Sequence, residues 1–193
     1  TLGLPIGLTL SGANAWLAGA STGMYTLGSS GPSRIDSSLR APWDNRTTAR
    51  RNAFNQLLDA ARRDSSAFVR EHGKINRRAI DFSESVFAAI NNAPAIATPF
   101  PTGTDGRITR FGETLRTVAR TIAARGALGQ RRQIFFVGLG GWDTHDGQPT
   151  THPNLLQQVS QGLAAFYNAT VELGIASDVT TFTMTDFGRT LNN

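Results

Sequence analysis

The stretch "QIFFVGLGGWDTHDGQP", residues 133–149, decides the fold class of this chain. Its first part, 133–139, is β-branched, aromatic and almost wholly apolar, which is typical of a strand covered on both faces. After a polar turn, apolar residues recur with helical spacing from about 153 to 173, and "DVTTFTMT", 178–185, is a second strand pattern. A strand, a helix and a strand in this order predict a βαβ unit with a parallel sheet and a right-handed crossover. The chain is therefore expected to have an α/β fold.

The helix between these two strands has recognisable ends. Thr151 or His152 is predicted as its N-terminal cap with Pro153 in the first turn, and Gly174 is expected to end it. The side chains expected to face the core recur every three or four positions and are Leu155, Val159, Leu163, Phe166 and Thr170.

The first half of the chain carries weaker patterns. The first 45 residues, rich in Gly, Ser, Thr and Pro, predict strand fragments and loops. Helical spacing from 46 to 90 predicts helix, with a break at Gly73, and the prolines and turn formers of 91–107 predict a connecting loop.

A second clear helix is predicted over "ITRFGETLRTVARTIAARGALG", residues 108–129, and it should end at Gly126 or Gly129. Its buried face should consist of Leu115, Val118, Ala119 and Ile122. At 193 residues the whole chain, 1–193, suits one domain with a real core.

Composition narrows the chemistry that the chain can perform. There is no cysteine, so a metal ion would have to be held by histidine or by carboxylate and other oxygen ligands. The net charge of +5 is almost all arginine, since Lys74 is the only lysine. These arginines are spread along helical stretches without interleaved aromatic residues, which favours a solvated surface over a nucleic-acid partner. No apolar run approaches the roughly 20 residues of a membrane span, and the start, "TLGLPIGLTLSGANAW", has no signal-peptide pattern.

Polar residues follow both predicted strands of the βαβ unit, where parallel α/β sheets bind their ligands. Asp143 and His145, spaced i and i+2, would point the same way from an extended segment and offer a carboxylate and an imidazole to Zn²⁺ or a similar divalent ion. Asp186, directly after 178–185, could add a third ligand, and Arg189 could bind an anionic substrate through its planar guanidinium. The sequence therefore indicates a metal site with Asp143, His145 and Asp186 as ligands and Arg189 as the catalytic residue that neutralises the substrate.

Each of these residues also has a structural interpretation. Asp143 could form a local turn while His145 packs or donates to the backbone, and Asp186 could simply pair with Arg189 on the same segment. Trp142, at the start of the polar turn, is better explained by packing than by substrate binding. No dinucleotide fingerprint, phosphate-binding loop or G-x-S-x-G nucleophile turn is present to suggest other chemistry.

The stretches "RRQIFFVGLGGWDTHDGQ" and "GLAAFYNATVELGIASDVTTFTMTDFGRTLNN" resemble a bacterial family labelled domain of unknown function 1501, which is sulfatase-like and related to the alkaline phosphatase superfamily. The resemblance implies a three-layer α/β sandwich with a mostly parallel sheet, in which divalent metals (Zn, Mn or Ca) activate a nucleophile for hydrolysis of small phosphate or sulfate esters. Asp143 and His145 match the D-T-H positions, presumed metal ligands of the family. Asp186 stands where many relatives carry glutamate, in an E-F-G-R-T motif whose arginine is matched by Arg189. Many relatives carry a twin-arginine export signal, which implies a periplasmic or exported protein.

Two features of the family are missing from the sequence. Relatives begin with a strand followed by a glycine-rich, aspartate-bearing loop, and they later carry a G-T-D-H-G segment. From this we expect a partial catalytic domain, incomplete at both ends and part of a larger sulfatase-like domain. The alternative function is a non-catalytic binding or assembly module of the bacterial cell envelope, which would keep the fold without the chemistry.

Overall fold

Three short parallel strands build the sheet of this protein. In the computed structural model, which describes residues 5–19, 23–35, 39 and 46–185, these strands are β1 (Gly7–Thr9), β2 (Met24–Thr26) and β3 (Ile134–Phe136), in the order β2-β1-β3. Both pairings are parallel, with Leu8 of β1 opposite Tyr25 of β2 and Phe135 of β3. The prediction of a parallel sheet is confirmed, and β1 is its central strand, with Leu8 fully buried.

The described residues also form four α-helices. They are α1 (Thr47–Ala61), α2 (Ala67–Asn91), α3 (Arg110–Ala123) and α4 (Gln148–Glu172), and 3-10 turns lie at Ala15–Leu17 and Ala176–Asp178. The architecture is therefore mixed α/β, as predicted. None of the helices in these ranges is long and apolar enough to cross a membrane.

Helix α3 forms the centre of the core and follows the sequence pattern closely. The predicted face, Leu115, Val118, Ala119 and Ile122, is buried. Thr109 caps the helix by accepting a hydrogen bond from the backbone N–H of Gly112, which satisfies a donor that a helix start leaves free. The helix ends at Ala123, before the glycines expected to end it, and the loop predicted from 91 to 107 is present.

Helix α4 packs closely against α3, and a glycine makes this approach feasible. A Cβ at Gly162 would lie 2.8 Å from Cε1 of Phe111 and 3.0 Å from Cδ1 of Leu115. Of the predicted stripe, Leu155, Phe166 and Thr170 are buried, whereas Val159 and Leu163 are half-buried. The small residues Gly162, Ala165 and Ala169 complete the buried face, because they let the two backbones come close.

The predicted start of α4 is wrong. The helix begins at Gln148 with Gly147 as its cap, so Thr151 and His152 lie inside the first two turns. Gly147 has a φ of 74°, which glycine adopts without strain, and its carbonyl accepts hydrogen bonds from Thr150 and Thr151. Since Pro149 already has the φ that a first turn requires, the helix can start before the cap that its side chains suggested. The predicted end is confirmed, since Gly174 follows the last turn with a φ of 68°.

The predicted break at Gly73 is also misplaced. Gly73 lies inside α2, and the chain turns earlier, between Ala61 and Ala67. A Cβ at Gly73 would come within 3.0 Å of the Ala61 Cβ, so this glycine lets the end of α1 pack against α2. It is a packing glycine, and the helix continues through it.

The strand predicted over 178–185 is not formed. The chain makes a 3-10 turn that ends at Asp178, and Val179–Thr185 has no regular secondary structure, with Phe182 76% exposed and Met184 62% exposed. Strand preference reflects a fit to a neighbouring strand, and within the residues that the structure describes β3 pairs only with β1. The prediction that β3 is covered on both faces is also wrong, because Ile134 is 58% exposed and Phe135 and Phe136 are only half-buried.

Candidate metal centre

The carboxyl ends of β1 and β3 lie side by side, because the two strands are parallel and neighbours. The backbone N–H of Leu10 donates to the carbonyl of Phe136 at 3.0 Å, and the N–H of Gly138 donates to Oγ of Ser11. The turn after β1 and the glycine-rich loop after β3 therefore meet at one edge of the sheet. In open parallel sheets this edge is where ligands bind.

The turn after β1 is held by a buried hydroxyl. Oγ1 of Thr9 donates to the carbonyl of Gly12 at 2.6 Å and accepts from the N–H of Ser11 at 3.2 Å. These bonds place the exposed Ser11 against the glycine loop. The sequence patterns did not indicate Ser11 as a site residue, and the clue is the Ser-Gly pair directly after the apolar run Ile6–Leu10.

Trp142 anchors the glycine loop to the start of α4. Its indole Nε1 donates to the carbonyl of Leu139 at 2.7 Å, and its ring meets that of His152 edge to face, with centroids 5.6 Å apart. This supports the packing role expected for Trp142. His152 is neither a cap nor part of the site, because it is engaged with this ring inside α4.

Asp143 and His145 are brought together as the spacing predicted. Oδ2 of Asp143 lies 2.9 Å from Nε2 of His145, and the two side chains are 55% and 81% exposed. The local geometry differs from the extended segment expected, because His145 has a φ of 28°. A positive φ is uncommon outside glycine, although histidine adopts it more readily than most residues. The bend closes the carboxylate and the imidazole onto each other.

A model of the family described as protein of unknown function (DUF1501) matches residues 5–193. The chain belongs to the DUF1501 family. The match includes both the GGWDTH and the DFGRT segments, so the two motifs of the candidate site are parts of one family domain. Comparison with curated proteins and with solved structures found no match.

The Asp143–His145 pair of this DUF1501 chain fits two positions of a divalent metal site. A carboxylate oxygen and an imidazole nitrogen that bind one tetrahedral Zn²⁺ lie roughly 3.3 Å apart. The observed 2.9 Å needs an opening of only a few tenths of an ångström, and the exposure of both side chains allows it. A metal ion held by both atoms would take the place of the contact that they now make with each other.

The remaining predicted site residues, Asp186 and Arg189, lie outside the described residues. Within the described ranges, no three histidine or carboxylate side chains come close enough together to hold a metal ion. Two shallow cavities of about 310 and 280 Å³ in this part of the molecule are lined by other residues, the first by Asp59, Arg62 and Arg63. The Asp143–His145 pair thus supplies two donors on an open surface, and a complete site needs at least one more.

Proposed function

We propose that this DUF1501 chain is a metal-dependent hydrolase of small phosphate or sulfate esters, with its centre at the carboxyl edge of the sheet. The observation that carries the proposal is the 2.9 Å contact between Asp143 and His145, which gathers two metal-binding side chains at the edge where parallel sheets bind ligands. Zn²⁺, Mn²⁺ and Ca²⁺ are the candidate ions, and the imidazole nitrogen favours the first.

Each residue has a distinct role in this proposal. Asp143 and His145 hold the ion, Asp186 adds a third ligand, and Arg189 neutralises the ester anion through its guanidinium. A bound divalent ion supplies Lewis-acid activation of water or of a hydroxyl group and stabilises charge on the ester oxygens. The roles of Asp186 and Arg189 rest on their place directly after 178–185 and on the family motif. The exposed Ser11 lies beside this loop, where its hydroxyl oxygen accepts a hydrogen bond from the N–H of Gly138.

The finer fold and the location belong to the same proposal. The resemblance to the alkaline phosphatase superfamily supports a three-layer sandwich around the parallel sheet, and the family's export signals support a periplasmic or exported protein.

A second candidate is the binding or assembly module without catalysis. The open position of the Asp143–His145 pair favours it, because an ester needs an enclosed, polar site to be hydrolysed efficiently. Large exposed apolar side chains, including Phe68 at 90% exposure, offer contact surface for a partner protein.

Hydrolysis of p-nitrophenyl phosphate and p-nitrophenyl sulfate separates the two candidates. We expect hydrolysis that requires added Zn²⁺, Mn²⁺ or Ca²⁺ and that falls by on the order of a hundredfold in Asp143→Asn and in His145→Gln. Asp146→Asn, which changes an exposed carboxylate one residue along, is the matched control and should keep the activity. Activity that survives in both pair variants, or no hydrolysis with any of these ions, contradicts the proposal.

A further inference from the structure

The shallow cavity of about 280 Å³ combines two guanidinium groups with a mainly apolar wall. Arg116 and Arg120 line it from helix α3, and their spacing of four positions places them on the same face of that helix. The rest of the lining comes from the end of α2 and the loop that follows it, namely Asn91, Ala93, Pro94, Ala95 and Ile96. The cavity therefore offers hydrogen-bond donors beside apolar surface.

Both guanidinium groups are held in place and keep donors to spare. Nη2 of Arg116 donates to Oε1 of Glu113 at 3.0 Å, and Nη2 of Arg120 donates to Oδ1 of Asn91 at 2.8 Å. A guanidinium carries N–H donors on three nitrogens, and within the described residues each of these two arginines uses only one of them. The anchors position the two groups without saturating them.

One of the remaining donors of Arg116 is costly to leave without an acceptor. Its Nε is buried, and none of the described residues accepts a hydrogen bond from it. A buried donor without an acceptor destabilises a protein, and the penalty is larger when the donor belongs to a charged group. The side chain as a whole is 37% exposed, so the guanidinium can turn and bring Nε to an acceptor in the cavity. This donor points to a ligand that is not part of the chain.

The charges around the cavity favour an anion. Glu113 offsets one of the two positive charges through its contact with Arg116, and no carboxylate is among the described residues that line the cavity. An excess of positive charge remains, and it attracts negatively charged groups.

The loop wall of the cavity is in place before any ligand binds. Ala93 and Ile96 pack against the hydrophobic core. Just beyond them, the carboxylate of Glu172 accepts hydrogen bonds from the N–H groups of Ala97 and Thr98, at 2.7 and 2.8 Å. A wall fixed at these points does not have to be ordered on binding, which lowers the free-energy cost of association.

We propose that this cavity binds a small organic oxyanion, that is, a carboxylate or phosphate-like group on a compact apolar body. The planar guanidinium groups of Arg116 and Arg120 donate to the oxygens, since their geometry matches both kinds of anion. The apolar wall packs against the body of the ligand. The volume lies at the lower end of small-molecule sites. None of the lining residues belongs to the proposed metal centre, so this binding site goes beyond the proposed function.

An NMR titration of the whole chain with benzoate and with phenylphosphonate tests the proposal. We expect saturable shifts at the backbone amides of Ala93, Ala95 and Ile96, with a dissociation constant on the order of 1 mM. The tighter of the two probes identifies the preferred anionic group. Benzyl alcohol has the ring without the charge, inorganic phosphate has the charge without the ring, and both should bind about tenfold more weakly or less. No saturable shift with either organic anion, or equal binding of either comparison compound, overturns the proposal.

Variants of the two arginines test where the probes bind. Arg116→Gln and Arg120→Gln should each weaken the binding of the tighter probe on the order of tenfold or more, because each removes charged donors. Arg110→Gln is the matched control, since it removes the same charge from an exposed position of α3 outside the cavity and should keep the wild-type affinity. If Arg116→Gln fails to fold, Arg120→Gln decides. Unchanged affinity in Arg120→Gln, or an equal loss in Arg110→Gln, contradicts the proposal.

These titrations use neither a metal ion nor an ester. Binding of the probes in a chain that hydrolyses nothing refutes the proposed function and leaves this inference standing. Metal-dependent hydrolysis without probe binding does the reverse.

Discussion

Replacing Gly162 with alanine should destabilise the protein, although alanine is the better helix former. The added Cβ would lie 2.8 and 2.9 Å from two ring atoms of Phe111 and 3.0 Å from Cδ1 of Leu115. Carbon atoms in contact prefer about 3.5–4.0 Å, so α4 has to move away from α3 by several tenths of an ångström or the ring has to turn.

The size of the effect follows from two opposing terms. Forcing an extra carbon into a packed core costs about 1–3 kcal/mol, and the close contacts with a ring place this case in the upper half of that range. The change from glycine to alanine inside a helix stabilises the helix by about 1 kcal/mol. The net loss of about 1–2 kcal/mol should lower the melting temperature by roughly 3–6 °C in a chain of this size.

Thermal denaturation followed by circular dichroism measures this loss. Gly126→Ala is the matched control, because a Cβ at Gly126 meets nothing within 4 Å and should not lower the melting temperature. Adding Phe111→Leu to Gly162→Ala should recover part of the loss, since the smaller side chain makes room. A Gly162→Ala variant as stable as the wild type would refute the close packing of α3 and α4.

Two further predictions concern the ends of α4 and β3. Hydrogen bonds from the Thr98 hydroxyl and from the backbone N–H groups of Ala97 and Thr98 lower the pKa of the Glu172 carboxyl from about 4.5. The ionised Glu172 carboxylate therefore stabilises the fold above pH 4.5, and this stabilisation is lost as the pH falls through the lower pKa of the folded state. In a series of urea denaturations at different pH, Glu172→Gln should reduce the fall in the free energy of unfolding over this range. An unchanged slope would contradict this role of Glu172. At the site, Gly138→Ala would bring a Cβ to 3.2 Å from Oγ of Ser11 and should displace the serine. This displacement should appear as a change in the NMR chemical shifts of Ser11. Gly140→Ala, whose Cβ would meet nothing within 4 Å, should not produce this change.

Local signals in the sequence were sufficient for part of the fold. The core face of α3 and the end of α4 at Gly174 follow from spacing and from backbone preference, which depend on residues a few positions apart. The start of α4 was missed because a glycine cap leaves no side-chain pattern. Gly73 was misread as a helix breaker, because the neighbour that requires a glycine there, Ala61, belongs to another helix.

The parallel sheet was predicted, but its pairing was not. The order of the elements predicted that the strands 133–139 and 178–185 lie near each other in one sheet, whereas β3 pairs with β1, more than a hundred residues earlier in the chain. Such long-range pairing depends on which surfaces the helices leave open, and periodicity carries no information on it. The contact between Asp143 and His145 could be predicted from the sequence, because the two residues are two positions apart. The position of Ser11 beside the loop could not be predicted, since only the pairing of β1 with β3 brings it there.

The most direct test of the proposed metal centre is the metal content of the chain, prepared without a polyhistidine tag, after equilibrium dialysis against Zn²⁺, Mn²⁺ or Ca²⁺. We expect the wild type and Asp146→Asn to retain one of these ions stoichiometrically, and Asp143→Asn and His145→Gln to lose it. A wild type that retains none of the three ions, or pair variants that retain metal as well as the wild type, would contradict the proposed metal centre.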